Sequence, residues 1–396
     1  MSTKSPIWTY SLPVSLSLMA PFDILASLAM DIYLPVIPAM PGVLDTTPTV
    51  IQFTLSLYMV VLGLGQLIFG PISDRVGRRP VLLGGGLLFS LASFGLAAST
   101  AATPFLAFRF LQAAGASAAL VATFAAVRDV YACRPESVII YSLFSSILAF
   151  VPALGPIGGA VIAEELGWRA IFITLGAVAI FATLNALFRW NETRPVTSLP
   201  PPQNFLPILR SHAFWTYTLG FSAAMGTFFV FFSTGPRVLV EGAGYSELNF
   251  SLAFATVAVV MIITTRFARQ FVARWGIAGS LARGMAALLL GAVLLSLGQA
   301  VGSPTFLALV VPMWVMAIGI VLSVSVTANG ALSEFDDVAG SAVAVYFCVQ
   351  SLFVGFVGTM VVLVFQGDTP WPLVAYSSVM ALSVLTVLGS RRRRGR

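Results

Sequence analysis

Charged residues are scarce in this sequence of 396 residues. Only 9% of them are Asp, Glu, Lys or Arg, whereas 58% are hydrophobic. Soluble proteins contain roughly 25% charged residues, and a soluble protein of this size could not cover its surface with so few. The composition therefore excludes a soluble globular protein and predicts an integral membrane protein. At about 20 apolar residues per span, the chain has room for roughly a dozen transmembrane helices.

Cysteine and histidine are also nearly absent. The two cysteines, Cys133 and Cys348, do not suggest a disulfide framework, and His212 is the one histidine. No cluster of His, Cys and Asp has the spacing of a metal site, and no Gly-x-x-x-x-Gly-Lys-[Ser/Thr] loop is present to bind ATP. The sequence therefore predicts neither an enzyme nor an ATP-driven pump. The net charge of +6 does not indicate nucleic-acid binding, because the basic residues fall in the loops between spans.

Apolar runs and the turn residues between them predict twelve helices. Most basic residues fall in the loops on one side of the membrane, together with the two chain ends. The positive-inside rule makes that side cytoplasmic, so we expect both termini in the cytoplasm. The predicted helices are residues 10–38, 48–70, 79–99, 104–128, 137–162, 168–188, 213–237, 247–268, 277–300, 304–329, 338–365 and 370–389.

A proline-rich connection divides the helices into two sets of six. A weak repeat supports the division, because Arg-Val-Gly-Arg at 75–78, after the second helix, has a counterpart in Arg-Trp-Gly at 274–276, after the eighth. The sequence thus predicts an all-α membrane protein of two six-helix halves, an arrangement typical of transporters with a site between the halves. The predicted parts are an N-terminal half at 1–190, a cytoplasmic linker at 191–212, a C-terminal half at 213–390 and a basic cytoplasmic tail at 391–396.

Three charged side chains fall inside predicted helices, where each costs about 2.5–3.5 kcal/mol at the bilayer centre. They are Asp23 and Asp31 in the first helix and Arg109 in the fourth. A carboxylate in an apolar cavity has its charged form disfavoured, whereas a nearby Arg favours it, so movement of the Arg or entry of substrate would load or release a proton. These residues are therefore the candidates for proton coupling. The alternatives are a buried ion pair that fixes helix packing and, for Asp31, an acid that stays hydrated near the outer interface.

Apolar and aromatic side chains are predicted to line a central cavity. Such a pocket suits a neutral or moderately lipophilic ligand that is held by a few hydrogen bonds. The alternative is that these side chains face lipid or pack on neighbouring helices. The candidate substrate-binding residues are Phe22, Asp23, Tyr58, Arg109, Met225, Phe228, Phe232, Tyr346 and Gln350.

Proline and glycine inside helices predict hinges. Proline removes a backbone hydrogen bond and kinks a helix, and small residues let helices approach closely. Static helix packing is the alternative role for the glycines. The candidate hinge residues are Gly115, Pro152, Gly155, Pro156 and Gly159.

Several stretches resemble motifs of a known transporter family. Residues 70–80, Gly-Pro-Ile-Ser-Asp-Arg-Val-Gly-Arg-Arg-Pro, resemble the signature loop of the major facilitator superfamily almost position for position. Arg109, Gln112 and Gly115 resemble the helix 4 motif of that superfamily, which is associated with proton transfer. Residues 30–35, Met-Asp-Ile-Tyr-Leu-Pro, resemble the helix 1 motif of bacterial twelve-helix drug exporters.

Other stretches narrow this resemblance. Residues 155–159, Gly-Pro-Ile-Gly-Gly, partly resemble the helix 5 motif of drug/proton antiporters, from which one spacing residue is missing. Residues 20–28, 229–233 and 327–332 are similar to the chloramphenicol and florfenicol exporters of resistant bacteria. The resemblance covers nearly the whole chain apart from the linker and tail. It implies the major facilitator fold and the proton-coupled efflux of amphenicol antibiotics across the bacterial inner membrane.

The resemblance also implies how such export is driven. Amphenicols carry no formal charge, so a coupled proton has to supply the force, about 2.3 kcal/mol per charge for each 100 mV of potential. Asp23 and Arg109 are then the residues that carry function. We expect a monomer that needs no cofactor and whose partners are a small-molecule drug, protons and membrane lipids. The alternatives are a broad-specificity multidrug/proton antiporter and, against the charges of Asp23 and Arg109, a metabolite facilitator without proton coupling.

Residues 70–80 are predicted to act as a conformational lock in this picture. Their charged side chains would bond across the cytoplasmic face to the other half. The alternative is that the arginines only enforce topology. The lock residues are predicted to be Gly70, Asp74, Arg75, Gly77, Arg78 and Arg79, with candidate partners Arg128, Asp129, Glu334, Asp336 and Asp337.

Overall fold

The protein is a bundle of twelve long helices in a computed structural model. The structure describes residues 8, 10–131, 136–194, 205–301, 306–335 and 339–394, and no strand occurs among them. The predicted all-α class is therefore confirmed. The helices are α1 Leu12–Asp31, α2 Pro48–Val76, α3 Arg78–Ala98, α4 Ala102–Tyr131, α5 Glu136–Leu166, α6 Trp168–Arg189, α7 His212–Pro236, α8 and α9 within Glu247–Val301, α10 Phe306–Leu332, α11 Ala339–Phe353 and α12 Trp371–Arg394.

The segment Glu247–Val301 holds two spans rather than one. Its 55 residues would reach about 80 Å as a single helix, against a hydrocarbon core of about 30 Å. Gly276, with φ 68°, breaks it into α8 at 247–275 and α9 at 277–301. Ten stretches of the described chain are long and apolar enough to cross a membrane, and this double helix is one of them. With α5, which has 31 residues, they make up the twelve predicted spans.

Shorter helical segments follow α1, α7 and α11, and one more precedes α7. Leu34–Ala39, a 3₁₀ segment, and Met40–Val43 follow α1, and Leu206–Arg210 precedes α7. α7 continues into a π-helical segment, and α11 continues through a π-helical segment and a further α-helical one. These continuations are Arg237–Gly242, Val354–Gly358 and Thr359–Val364.

The predicted ends of three helices are wrong. α1 stops at Asp31 rather than at 38, because Pro35 has no backbone N–H to donate to the Asp31 carbonyl, and the chain continues as a 3₁₀ segment from Leu34. α2 continues through residue 70 to Val76 and α8 through residue 268 to 275. The 70–80 stretch is therefore not a loop, since Pro71 costs only one helical hydrogen bond and the chain leaves the helix only at Gly77. Gly77, with φ 120°, and Gly276 adopt backbone conformations that favour glycine, so each ends its helix.

Buried apolar residues form three clusters, one shared by the two halves and one in each half. The largest cluster joins both halves, for example Leu55 on α2 with Phe229 on α7. A second cluster belongs to the N-terminal half and a third to the C-terminal half, where Leu67 on α2 is the one packed residue from the other half. The second includes Trp190 at the end of α6. The halves thus share a core that, in the N-terminal half, lies at the end far from the linker, and each half also has a core of its own at the linker end.

Polar side chains join the two halves within the shared core. Gln52 Nε2 on α2 donates to Ser233 Oγ on α7 at 3.1 Å. One helical turn further along α2, the hydroxyl of Ser56 hydrogen-bonds that of Thr359, in the continuation of α11. All four side chains are buried. We call these four residues the far seam.

Candidate functional site

Asp23 is a buried acid in the middle of α1. Its side chain is 3% exposed, and Oδ2 has no hydrogen-bond partner among the described residues. Pro21 lies inside the helix two residues earlier, and it leaves one carbonyl of the preceding turn without its helical donor. The adjacent Phe22 packs edge-on against Trp190, with ring centroids 6.5 Å apart. The structure therefore places a buried carboxyl group, with one oxygen unpaired among the described residues, at a weakened turn of α1.

Arg109 lies fully buried on α4, against the same helix. Its Nη1 atom donates to the Ala29 carbonyl on α1 at 3.1 Å and to Gln112 Oε1 at 2.6 Å. The carbon Cζ lies 5.3 Å from the ring centroid of Tyr33 and 4.5 Å from that of Tyr58. Nε and Nη2 have no hydrogen-bond partner within the described part of the chain. Two aromatic faces, one backbone carbonyl and the Gln112 amide oxygen thus hold this buried cation in place of a carboxylate.

Two further hydrogen bonds hold the surroundings of Arg109. Gln112 Nε2 donates to Ser93 Oγ on α3 at 2.9 Å, and the Tyr58 hydroxyl donates to the Ala26 carbonyl at 2.7 Å. The guanidinium therefore contacts α1 between Asp23 and Asp31, and no ion pair with either acid is found among the described residues. Any coupling between these charges would pass through α1 itself. Tyr33 was not predicted as a site residue, although it lies in the helix 1 motif beside Asp31.

Asp31 ends α1 and is also buried. It faces α5, because a Cβ built on Gly155 would lie 3.0 Å from the Asp31 Cβ. A Cβ on Gly159 would collide with the carbonyl of Ile32. These two candidate hinge residues thus let α1 and α5 pack closely. Small residues have the same role in other membrane helix pairs.

The other candidate hinge residues lie in two different helices. Gly115 packs against α3, where its Cβ would lie 2.7 Å from the Gly85 carbonyl oxygen. Pro152 and Pro156 are both inside α5. The Pro156 carbonyl accepts from Ser251 Oγ on α8 at 3.0 Å, which is a further bond between the halves. Whether any of these positions bends during transport stays a prediction.

The candidate pocket residues fall into separate environments. Phe228 and Phe232 pack edge-on at 5.9 Å inside the shared core, and Met225 contacts both that core and the core of the C-terminal half. Phe22 belongs to the core of the N-terminal half. Tyr58 contacts Arg109, as described above. The structure therefore does not gather all of these aromatic side chains around one cavity.

Tyr346 and Gln350 lie one turn apart on α11. The Tyr346 hydroxyl donates to Thr327 Oγ1 at 3.0 Å, and its ring stacks on Phe221 at 4.9 Å. Gln350 is buried, and its Oε1 accepts from Ser351 Oγ at 3.4 Å. Its Nε2 has no partner among the residues described. Gln350 Nε2 is thus a buried donor in the C-terminal half, as Asp23 Oδ2 is a buried acceptor in the N-terminal half.

Arg78 is the centre of the charged cluster at the α2–α3 turn. It is 3% exposed, and it pairs with Asp74 on α2 at 2.5 Å and with Asp129 on α4 at 2.8 Å. Ser73 Oγ accepts from it at 3.2 Å. Arg128 is half exposed and lies 3.8 Å from Asp129. One buried arginine therefore bridges α2 and α4 across the start of α3.

The remaining candidate lock residues have other surroundings. Gly70 lies inside α2, and Arg75 is exposed. Glu334 accepts from Ser211 Oγ at 2.7 Å within its own half. Asp336 and Asp337 lie outside the described residues. All described contacts of the turn are with the N-terminal half or with the start of the predicted linker, so a lock between the halves stays a prediction.

Sequence reasoning missed Glu192, which hydrogen-bonds to this turn. The available signal was an acid directly after the sixth helix, on the side of the membrane where the arginines of residues 70–80 lie. In the described ranges, no group of three or more His, Cys, Asp or Glu side chains could hold a metal ion. The arrangement is thus one of buried protonatable and hydrogen-bonding groups on neighbouring helices.

Comparison with known proteins agrees with this geometry. The model of the Major Facilitator Superfamily matches residues 22–359. A chloramphenicol resistance protein of Pseudomonas aeruginosa is 49% identical over 97% of this chain and 92% of its own length. The multidrug resistance protein MdtL of Escherichia coli (strain UMN026) is 29% identical over 61% of this chain and 62% of its own length, and MdtL of Salmonella typhimurium (strain LT2) is 29% identical over 60% of each. The chain belongs to the Major Facilitator Superfamily and is a multi-pass membrane transporter.

Proposed function

We propose that the protein exports amphenicol antibiotics such as chloramphenicol and florfenicol across the bacterial inner membrane in exchange for protons. The likeness of nearly the whole chain to a chloramphenicol resistance protein supports the drug class. The observation that carries the proton coupling is the buried Asp23 carboxylate, whose Oδ2 lacks a hydrogen-bond partner among the described residues. A buried carboxyl oxygen without a hydrogen-bond partner is costly to keep and is expected to serve transport.

Asp23 is proposed as the proton carrier. Its proton affinity depends on the water, the charges and the hydrogen bonds around it, and all three change when the cleft opens to the other side. Arg109 is proposed to link this change to helix movement, since its Nη1 holds the Ala29 carbonyl of the same helix. Asp31 is a second acid on α1 that the same arginine could affect. Protonation would thus be coupled to the position of α1.

The drug is proposed to bind where the shared core ends and the separate cores begin. Met225 lies at this boundary, and Tyr346 and Gln350 lie on α11, which packs against α2 of the other half. Gln350 Nε2 is a donor without a partner among the described residues, and it could bond to an oxygen of the drug. A mostly apolar pocket with a few polar groups suits an uncharged aromatic ligand.

Alternating access is proposed to proceed by opening the far seam. A hydrogen bond contributes a net of about 0.5–1.5 kcal/mol, so the Gln52–Ser233 and Ser56–Thr359 bonds can hold the halves and still release them. If both termini are cytoplasmic, as the basic residues predict, the separate cores lie on the cytoplasmic side. We propose that one polypeptide suffices, with lipid as its other partner and no cofactor.

Growth of a drug-sensitive bacterium in the presence of drug tests this proposal directly. The chain is expressed in a drug-sensitive bacterium, and resistance to chloramphenicol, florfenicol and an unrelated lipophilic cation is measured with and without an uncoupler. We expect resistance to the two amphenicols, and we expect the uncoupler to abolish this resistance. Resistance to the cation as well would favour the second candidate, a broad multidrug/proton antiporter, which the partial likeness to MdtL supports. Absence of resistance to all three compounds in cells that contain the protein would contradict both.

A further inference from the structure

Glu192 caps α3 from a distant part of the chain. Its carboxylate accepts from the backbone N–H of Arg78 at 2.8 Å and of Arg79 at 3.1 Å. It also accepts from the N–H groups of Thr193 and Arg194, at 3.0 and 2.9 Å. The first N–H groups of a helix have no partner inside it, and the helix dipole favours a negative charge there. One side chain thus supplies the cap that a Ser, Thr, Asp or Asn before α3 would otherwise provide.

Gly77 leaves the space that Glu192 occupies. A Cβ at this position would collide with Glu192 Oε2 and lie 3.0 Å from the carboxyl carbon. Its φ of 120° is also one that residues with a side chain rarely adopt. Glycine is therefore required here for two separate reasons, and one of them is the approach of Glu192.

The same segment makes two further bonds to the turn. Arg194 Nη1 donates to the Arg75 carbonyl at the end of α2. In the reverse direction, Arg79 Nη2 donates to the Leu187 carbonyl at the end of α6, at 2.8 Å. The turn and the chain around the end of α6 thus each donate a hydrogen bond to the other. We call the segment Glu192 to Arg194 the clasp.

The clasp acts on the residue that bridges α2 and α4. The backbone of Arg78 bonds to Glu192, while its side chain pairs with Asp74 and with Asp129. Fixing the Arg78 backbone fixes where its guanidinium can reach. The clasp lies at the start of the predicted linker, residues 191–212, so it also anchors the first end of that linker.

We propose that Glu192 is a positioning residue for the transport cycle. It holds the Arg78 backbone so that the guanidinium bridges Asp74 and Asp129, and it ties the start of the linker to this bridge. The proposal goes beyond the proposed function, because it concerns the movement of the halves and does not depend on which compound is carried. A cap with no such role would change only the stability of the fold.

The first test measures the distance between the halves without any drug. Spin labels are placed at the two exposed helix ends, through Val76→Cys and Arg274→Cys in a full-length protein with Cys133→Ser and Cys348→Ser. We expect Glu192→Gln to change the populations of the distance distribution by about fivefold, the effect of losing roughly 1 kcal/mol of capping energy. Glu165→Gln, which removes an exposed acid at the other end of the N-terminal half, should leave the distribution unchanged.

The second test asks whether Glu192 acts through Arg78. In proteoliposomes we expect Glu192→Gln to lower the maximal rate of chloramphenicol export about fivefold, while the chloramphenicol Kd changes by less than about twofold. Combined with Arg78→Lys, its effect should be less than additive. Glu192→Asp, which keeps the charge, should restore part of the rate.

Two results would overturn the proposal. One is an unchanged distance distribution together with an unchanged export rate. The other is an effect of Glu192→Gln that adds fully to that of Arg78→Lys, since this would mean that Glu192 acts only on stability. If Glu192→Gln does not fold, Arg194→Gln removes the second bond to the turn and is tested by the same distances, with an unchanged distribution counting against the clasp. Loss of chloramphenicol export by the unmodified protein would refute the proposed function but leave the distance result intact.

Discussion

The guanidinium of Arg109 lies 4.5 Å above the ring of Tyr58, and the two side chains bond to neighbouring turns of α1. Arg109 bonds to the Ala29 carbonyl, and the Tyr58 hydroxyl bonds to the Ala26 carbonyl. α2 and α4 thus hold α1 between its two acids, Asp23 and Asp31. A rigid attachment of this helix would let a proton on either acid move the whole half.

Two replacements of Tyr58 should separate the contribution of its ring to stability from that of its hydroxyl group. Tyr58→Phe keeps the ring under Arg109 and loses one hydrogen bond, for an expected loss of about 1 kcal/mol in the free energy of unfolding. Tyr58→Leu also removes the cation–π contact, which should cost about 1 kcal/mol more. The measurement is thermal unfolding of both variants in the same detergent. Equal losses would show that the ring face does not stabilise Arg109.

Asp23→Asn should remove the proton-driven part of transport. One proton at 100 mV is worth about 2.3 kcal/mol, so the drug gradient that the protein maintains should fall by about 50-fold for each 100 mV imposed. Exchange of labelled for unlabelled drug without a proton gradient should persist. Proteoliposomes with an imposed gradient give both quantities. Asp45→Asn, at an exposed position between α1 and α2, is the matched control, and an Asp23→Asn protein that still concentrates drug would refute the role of Asp23.

Removal of the far-seam bonds should favour opening at that end. Ser56→Ala and Thr359→Val each delete the same hydrogen bond, so each should shift the opening equilibrium by up to about tenfold, and the double variant by no more than either single one. Gln52→Leu should have a similar effect through Ser233. Alkylation of a cysteine placed in the seam reports the opening. Ser383→Ala, an exposed hydroxyl that bonds only within α12, should change nothing.

The two glycines that end α2 and α8 should differ in their tolerance to alanine. Both have positive φ, so each substitution should cost about 1–3 kcal/mol in backbone strain. Gly77→Ala should cost more, because its Cβ also meets Glu192, whereas nothing lies within 4 Å of a Cβ at Gly276. Yield of folded protein and thermal unfolding measure the difference. A larger loss for Gly276→Ala would contradict the assigned role of Glu192 as the neighbour that Gly77 accommodates.

Long apolar runs made the helices predictable from the sequence. Twelve spans were expected, and the described residues form twelve helices once Gly276 divides 247–301 and α5 is included. A helix in lipid must satisfy its own backbone and depends little on its neighbours. Helix ends were less predictable. Pro71 appeared to start a loop but lies inside α2, and one glycine, Gly77, makes the whole turn. Glycine and proline mark candidate breaks, and packing selects among them.

The pairing of the buried charges could not be predicted. Asp23 and Arg109 were recognised as costly charges inside helices, which follows from solvation alone. Their partners depend on how α1, α2 and α4 approach one another. Arg109 therefore contacts a backbone carbonyl, the Gln112 amide oxygen and two aromatic rings. Arg78, rather than Arg75 or Arg79, is the buried arginine of its turn.

The sequence by itself determined that this is a twelve-span transporter and which few residues bear charge inside it, because hydropathy and the cost of a buried charge are local properties. The tertiary structure alone decided that the halves share one core and separate at the linker end, that the far seam joins α2 to α7 and α11, and that Glu192 caps α3 across 114 positions of chain. These are contacts between distant segments, and their existence depends on the relative placement of helices that the pattern of any one helix does not contain.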